Sequence, residues 1–202
     1  MRELLIATNN QKKLKELKAL LVDLPLRITS LKDYKNMPKI EEDGKTFSQN
    51  ALKKASTISI YTKKLVMGED SGLEVKALGN RPGVFSARFS GTNATDQKNN
   101  LKLLRFLRKV PSKERQARYR CCVALTDYDG IVDIVSGSCS GFISPRSKGN
   151  NGFGYDPLFL VSRYNKTFGE LDPFVKSRIS HRARALKKFY LVIEKYLESH
   201  PE

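Results

Sequence analysis

Apolar positions in this chain follow two rhythms. The stretch "ELLIA" at residues 3–7 is an almost unbroken apolar run, and the polar "TNN" follows it. Leu14, Leu17, Leu20 and Leu21 then recur at helical spacing, so 3–7 reads as a strand and 11–21 as a helix. A weaker strand covers 26–30, and residues 32–46, "KDYKNMPKIEEDGKT", are polar, hold Pro38 and Gly44, and read as loop. The helical rhythm returns over 47–60 with Phe47, Ala51, Ala55 and Ile58 on one side. A strand over 64–68 ends at two adjacent acids, Glu69 and Asp70. Residues 79–94, rich in glycine and holding Pro82, read as a structured loop. A helix over 96–109 follows, with Leu101, Leu104 and Leu107 in register and Thr95 as its cap. "RYRCCVALT" at 118–126 and "IVDIVSGSC" at 131–139, joined by "DYDG", read as a hairpin. Residues 141–157 are glycine-rich, "LFLV" at 158–161 is a short strand, and a last helix over 180–198 turns Ala185, Leu186, Phe189, Ile193, Tyr196 and Leu197 inward.

Strand, short polar turn and helix at the start are the opening of an α/β unit. The 202 residues, 40% hydrophobic, suffice for one domain with a core, and the hairpin around 118–139 is placed to form a smaller second lobe. A groove between two such lobes is a natural ligand site. No internal repeat, low-complexity segment or linker interrupts the chain. Its apolar runs are far too short for a membrane span, and the apolar part of "MRELLIATNN" is too short for a signal peptide, so the expected location is the cytosol. Cys121, Cys122 and Cys139 make a poor disulfide framework and read as small buried hydrophobes.

Charge changes the picture. There are 37 basic against 21 acidic residues, a formal net charge of +16. That excess suits either a polyanionic partner or a lysine-rich solvated surface, and its spread along the whole chain favours the second with a local cluster of importance.

Against that background the acids stand out. Glu69 and Asp70 sit where a strand gives way to Ser71-Gly72, and ligands in α/β folds favour the carboxyl ends of strands. Adjacent carboxylates repel and call for a cation, a base or water. Mg²⁺ takes carboxylate oxygens together with substrate phosphates, and Glu42 in the preceding loop is a further ligand for the same ion. "ATNNQKK" at 7–13 lies between strand and helix. Its Thr8, Asn9 and Asn10 serve either as an ordinary helix cap or as phosphate contacts, with Lys13 one turn in. Asn50, Lys53 and Lys54 lie on the second helix. "GNNGFGYDP" at 149–157 is either a packed turn with aromatic anchors or a loop that stacks Phe153 or Tyr155 on a base. "KSRISHRARAL" at 176–186 places His181 and Arg182 in the first turn of the last helix, the end where cations gain least from the helix dipole.

Four segments in order, "DSGLEV", "PGVFSARFSG", "GFGYDP" and "ISHRARAL", resemble the Ham1-like, or inosine triphosphatase, family, and the likeness runs nearly end to end. The resemblance implies a two-lobed α/β body on a long mixed sheet, paired as a homodimer. It implies Mg²⁺-dependent hydrolysis of inosine, deoxyinosine and xanthosine triphosphates to the monophosphate and pyrophosphate. On the matching positions it implies phosphate contacts from Thr8, Asn10, Lys13 and Lys54, with Ser71 beside them. Asp70 matches the catalytic acid. The metal carboxylate matches Glu42, and the residues themselves make Asp70 and Glu69 further candidate ligands for the same ion. The base pocket matches Phe153, Gly154, Tyr155 and Asp156 with Lys176, His181 and Arg182. The chain departs from the family pattern at Asn9 (usually Gly), Glu69 (Asp), Gln49 (Glu), Asn150 and Asn151 (Thr and Gly), and Val175 (Glu). Two rival readings are a related pyrophosphatase of broader or modified-pyrimidine range and a nucleic-acid-binding protein. The second gives no reason for the carboxylates, so the expected partner is a small nucleoside triphosphate, with no specific nucleic acid and no membrane.

Overall fold

The computed structural model describes residues 2–201. Strand β1 (Glu3–Ala7) leads through a short turn into α1 (Gln11–Leu20), β2 (Arg27–Ser30) and the long loop before α2 (Phe47–Thr62). Strand β3 (Leu65–Val75) follows, then the two-residue β4 (Arg81–Pro82), a 3₁₀ segment at Gly83–Arg88, and α3 (Asp96–Phe106). The long neighbours β5 (Gln116–Thr126) and β6 (Ile131–Ile143) precede β7 (Phe159–Val161), β8 (Lys166–Thr167), α4 (Pro173–Ile179) and α5 (His181–Ser199).

The strands form one eight-stranded sheet in the order β2-β1-β3-β5-β6-β7-β8, with β4 on β3. β1 pairs parallel with β2 and β3, whereas β6–β7 and β7–β8 pair antiparallel, so the sheet is mixed and the fold is α/β as expected. The chain divides into two compact units. One holds Met1–Asp70, Cys121–Gly137 and Arg182–Glu202; the other holds Ser71–Arg120 and Ser138–His181. Each has its own apolar core. In the first, Leu4, Ile6, Leu17, Met67, Val123 and Phe189 pack together; in the second, Leu73, Leu103, Leu158, Phe159 and Phe168 do. Among the described residues no helix is long and apolar enough to cross a membrane.

Three expectations need correcting. Strand β3 does not stop at residue 68 but runs through the acidic pair to Val75. Charge conceals this extension, because Glu69 and Asp70 are buried strand residues held by cations. In α3, Leu101 points out and is 61% exposed, while Leu103 and Leu107 are buried. The inward stripe of α3 includes two asparagines that an apolar count omits. Asn99 donates to the carbonyls of Ser86 and Ala87 and accepts from Ser90 N–H, and Asn100 donates to Gly154. Finally, α4 was not foreseen. "DP" starts it, with Asp172 accepting from Phe174 N–H at 2.7 Å and Pro173 in the first turn. Ser180 separates α4 from α5, and all three cysteines are buried and free.

Candidate active site

The first unit gathers charge around the middle of β3. Parallel pairing sets Ala7, the last residue of β1, beside Gly68, so the turn that opens α1 lies next to the strand that carries the acids. Asn10 caps α1, its side chain accepting from Lys12 and Lys13 N–H at 3.1 Å each, and Thr8 Oγ1 accepts from Asn10 N–H at 3.2 Å. Asn9 is not among the residues with positive φ, so the turn does not use the left-handed geometry that a glycine would favour. On the other side α2 packs directly on β3. A Cβ on Gly68 would lie 2.1 Å from Ala51 O, so only glycine admits this approach. The helix starts with a capping box in which Gln49 accepts from Thr46 N–H while Thr46 accepts from Gln49 N–H. Gln49 thus caps α2 without adding a charge near the acids.

Asp70 lies among these elements, 4% exposed. Asn50 Nδ2 donates to it at 3.1 Å, Lys54 Nζ stands at 3.5 Å and Lys13 Nζ at 3.8 Å. Lys54 also meets Glu42 at 3.0 Å. Burial pushes the Asp70 carboxyl above its ordinary range, against Lys54 and Lys13, with Glu42 and Glu69 adding to the rise. Glu69 is wholly enclosed: Lys13 Nζ reaches one oxygen at 3.0 Å, and Arg182 Nη2 and the Cys121 thiol donate to the other at 3.1 and 3.3 Å. Arg182 is also paired to Glu16 of α1. Burial works against the charged forms of Lys13 and Arg182, but the neighbouring carboxylates together outweigh it, Glu69 with Asp70 for Lys13 and Glu69 with Glu16 for Arg182, and hold both pKa values above the ordinary. Burial, then Glu69, pushes the Cys121 thiol well up, so it acts as a neutral donor.

Hard oxygen donors suit Mg²⁺, and the pair Glu42 and Asp70 already shares one cation, the Lys54 ammonium. No three His, Cys, Asp or Glu side chains form a metal cage among the described residues. Mg²⁺ does not require one, since it commonly takes one or two carboxylates and completes its shell with water and substrate phosphates. Glu42 and Asp70 therefore fit the ion. Glu69, enclosed by two cations and a thiol, fits a different task, which is to hold Lys13.

The second unit gathers the residues of the glycine-rich loop. Asp156, 2% exposed, receives Lys176 Nζ and Phe153 N–H on Oδ2 at 2.7 Å each. A Cβ on Gly152, which has φ +77°, would lie 2.1 Å from that oxygen. Lys176 Nζ also stands 5.1 Å from the centre of the Phe153 ring. The Gly154 carbonyl accepts from Asn100 at 2.9 Å. Tyr155 is buried, its hydroxyl donating to Ser86 O at 2.9 Å, and is therefore a core anchor, leaving Phe153 as the aromatic with an accessible ring. His181 lies buried against Tyr119.

The structure brings Lys13, Lys54, Glu42, Glu69 and Asp70 together in one unit, and Phe153, Tyr155, Asp156, Lys176 and His181 in the other. The Arg182 guanidinium sits with Glu69 and Glu16 in the first unit. Ser71 is half-buried on β3, and Thr8 is buried at the end of β1. Sequence reasoning overlooked Glu16, Cys121 as a donor, and Tyr119. Glu16 follows Lys13 by one helical turn, a spacing that signals a shared face. Nothing in the sequence pattern marks Tyr119 or the Cys121 thiol.

A model of the Ham1 family matches residues 4–191. The dITP/XTP pyrophosphatase of Desulforamulus reducens is 47% identical over 186 residues, 92% of this chain and 92% of its own length. That of Geobacter sulfurreducens is 48% identical over 186 residues, 92% of this chain and 94% of its own. Among solved structures, a HAM1 protein from Coxiella burnetii superposes with a TM-score of 0.88 at 38% identity, covering 96% of this chain and 100% of that one. The Staphylococcus aureus Ham1 protein gives 0.86 at 35% identity, again with 96% and 100% covered.

Proposed function

The chain belongs to the Ham1 family, and we propose that it hydrolyses inosine, deoxyinosine and xanthosine triphosphates to the monophosphate and pyrophosphate, with Mg²⁺. The observation that carries this reading is the buried Asp70 carboxylate flanked by Asn50, Lys54 and Lys13, with Glu42 on the same lysine. Glu16, Glu42, Glu69 and Asp70 here pair with Lys13, Lys54 and Arg182. A polyphosphate brings several further negative charges among these carboxylates, which supports a requirement for a divalent cation.

In this mechanism Lys54 exchanges Glu42 for a phosphate oxygen, and Glu42 and Asp70 are the residues that would hold the ion. Mg²⁺, when bound, offsets charge on the phosphates and polarises their oxygens. Lys13, held by Glu69, meets the charge that develops on the leaving pyrophosphate. Asp70, held by Asn50, orients a water toward the α phosphorus. Glu69 and Arg182 contribute by keeping the Lys13 ammonium in place.

Base choice is a matter of donors. Inosine and xanthosine offer an oxygen acceptor at the six position, whereas adenine offers an amino donor. Lys176, beside Asp156 and Phe153, and His181, stacked on Tyr119, supply donors that adenine leaves unpaired, at about 1–3 kcal/mol for each mismatch. Phe153 stacks on any base and makes no such distinction.

The test is a panel. Purified protein with Mg²⁺ receives each triphosphate in turn, and pyrophosphate and monophosphate are measured. Inosine triphosphate is expected to exceed adenosine triphosphate by about 10²–10⁴ in kcat/KM. Equal rates on both return the reading to a pyrophosphatase of broad range.

A further inference from the structure

Tyr119 lies outside every residue set so far assigned a task, yet it touches the loop that carries Phe153 at Tyr155 and Asp156. Its ring stacks on the His181 imidazole with centroids 4.5 Å apart and planes 7° from parallel. Its hydroxyl accepts Tyr155 N–H at 3.2 Å and donates to Asp156 Oδ1 at 3.4 Å. The other oxygen of Asp156 is the one that holds Lys176 and the Phe153 backbone, each at 2.7 Å. The phenol is itself immobilised on β5, packed on Phe159 at 4.7 Å and near Phe168 at 6.1 Å between centroids. Burial, with Asp156 adding to it, pushes its pKa well up, so the hydroxyl remains a neutral donor throughout the physiological range.

A rigid core side chain thus fixes the plane of one ring donor and the orientation of the carboxylate that holds a second donor. Selective hydrogen bonding demands donor placement within about 0.5 Å and 10–20°. We propose that Tyr119 is a positioning residue for base selection, setting the His181 imidazole and the Asp156–Lys176 pair so that they meet a six-position oxygen. The proposal rests on the pyrophosphatase reading above. It predicts that the hydroxyl and the ring act separately, the hydroxyl through Asp156 and the ring through His181.

Tyr119→Phe removes only the hydroxyl, and Tyr119→Leu also removes the stack. With Mg²⁺, kcat/KM is measured for inosine and adenosine triphosphates on the parent and both variants. For Tyr119→Phe the ratio of the two is expected to fall about tenfold, chiefly through a higher KM for inosine triphosphate. A purely structural role would lower both substrates alike and leave the ratio unmoved. In an Asp156→Asn background Tyr119→Phe should change the ratio less than about twofold, since the two groups act as one. The ring is read by NMR. Tyr119→Leu should shift the ring protons of His181, whereas those of His200, stacked on Tyr196 at 4.3 Å, should stay put. If Tyr119→Phe melts too low to assay, Asp156→Asn alone should produce the same fall in ratio, and its failure to do so overturns the proposal. A selective parent with Tyr119→Phe at the parental ratio overturns the role of Tyr119 and leaves the pyrophosphatase reading standing. A parent that turns over no triphosphate overturns both.

Discussion

Around Asp70, carboxylates and cations alternate, and each lysine serves two acids; around Asp156, a carboxylate meets a lysine, the Phe153 backbone and the Tyr119 hydroxyl, with stacked rings close by. The first set is built so that partners exchange. Lys54 is shared between Glu42 and Asp70, and Lys13 between Glu69 and Asp70, so a ligand of either sign finds a group ready to change partners. The second set is held by packing: Asp156 takes Lys176, Phe153 N–H and the Tyr119 hydroxyl, and the Tyr119 ring packs on Phe159 and His181. Charge to be transferred and shape to be read thus call for opposite environments.

The sharpest way to break this comparison is at Asp70. Asp70→Asn keeps the size and the bond to Asn50 but loses the charge, and turnover should fall by about 10³-fold or more. Thermal unfolding distinguishes this from damage to the fold. Because burial raises the folded pKa of Asp70 above the unfolded value of about 3.9, stability is lost as pH climbs from there through the folded value, and the penalty is in force at neutral pH. Removing the charge should leave the melting temperature of the ligand-free protein unchanged or raise it by about 2–4 °C. A variant within tenfold of the parental rate would remove Asp70 from the mechanism.

Lys13→Ala comes next. It should raise KM and lower kcat together, about 10²-fold in kcat/KM, because it removes a charge felt by both bound and developing phosphate. It should also move the pH profile. In the proposed mechanism activity needs the Asp70 carboxylate, so kcat/KM should fall as pH drops through the raised Asp70 pKa. Lys13 lowers that pKa, so its loss should carry the acid limb to higher pH. An unmoved limb would uncouple Lys13 from Asp70.

Glu42→Gln is a smaller change, since Glu42 lies at the more exposed side of the Lys54 pair. A loss of about 10–10²-fold, partly recovered at high Mg²⁺, is expected from a metal ligand. Absence of recovery in a Mg²⁺ titration would count against that task. The smallest effect belongs to the surface. Lys188→Ala should leave kcat and KM unchanged, and turnover should survive 0.15 M salt while nonspecific duplex binding falls steeply. A salt series on one preparation reads both.

Much of the fold was legible because apolar spacing marks amphipathic elements. β1, α1, α2, the hairpin of β5 and β6, and α5 lie where the pattern puts them. What escaped the pattern was buried polarity. Glu69 and Asp70 hid the second half of β3, and Asn99 and Asn100 hid the true face of α3. The same cause limited the site. Lys13, Lys54, Glu42 and Asp70 were legible as charges out of place beside strands and helix ends. The pairing of Arg182 with Glu69 and Glu16 was not, since it joins residues more than 100 positions apart through side chains alone. Tyr119 looked like one more strand aromatic, and only its hydroxyl partners distinguish it.

The central claim is that water attacks the α phosphorus and expels pyrophosphate. Turnover of inosine triphosphate in ¹⁸O-enriched water, with Mg²⁺ and mass analysis of both products, reads it directly. The account predicts one labelled oxygen in the monophosphate and none in the pyrophosphate. Label in the pyrophosphate, or release of orthophosphate in its place, would contradict it.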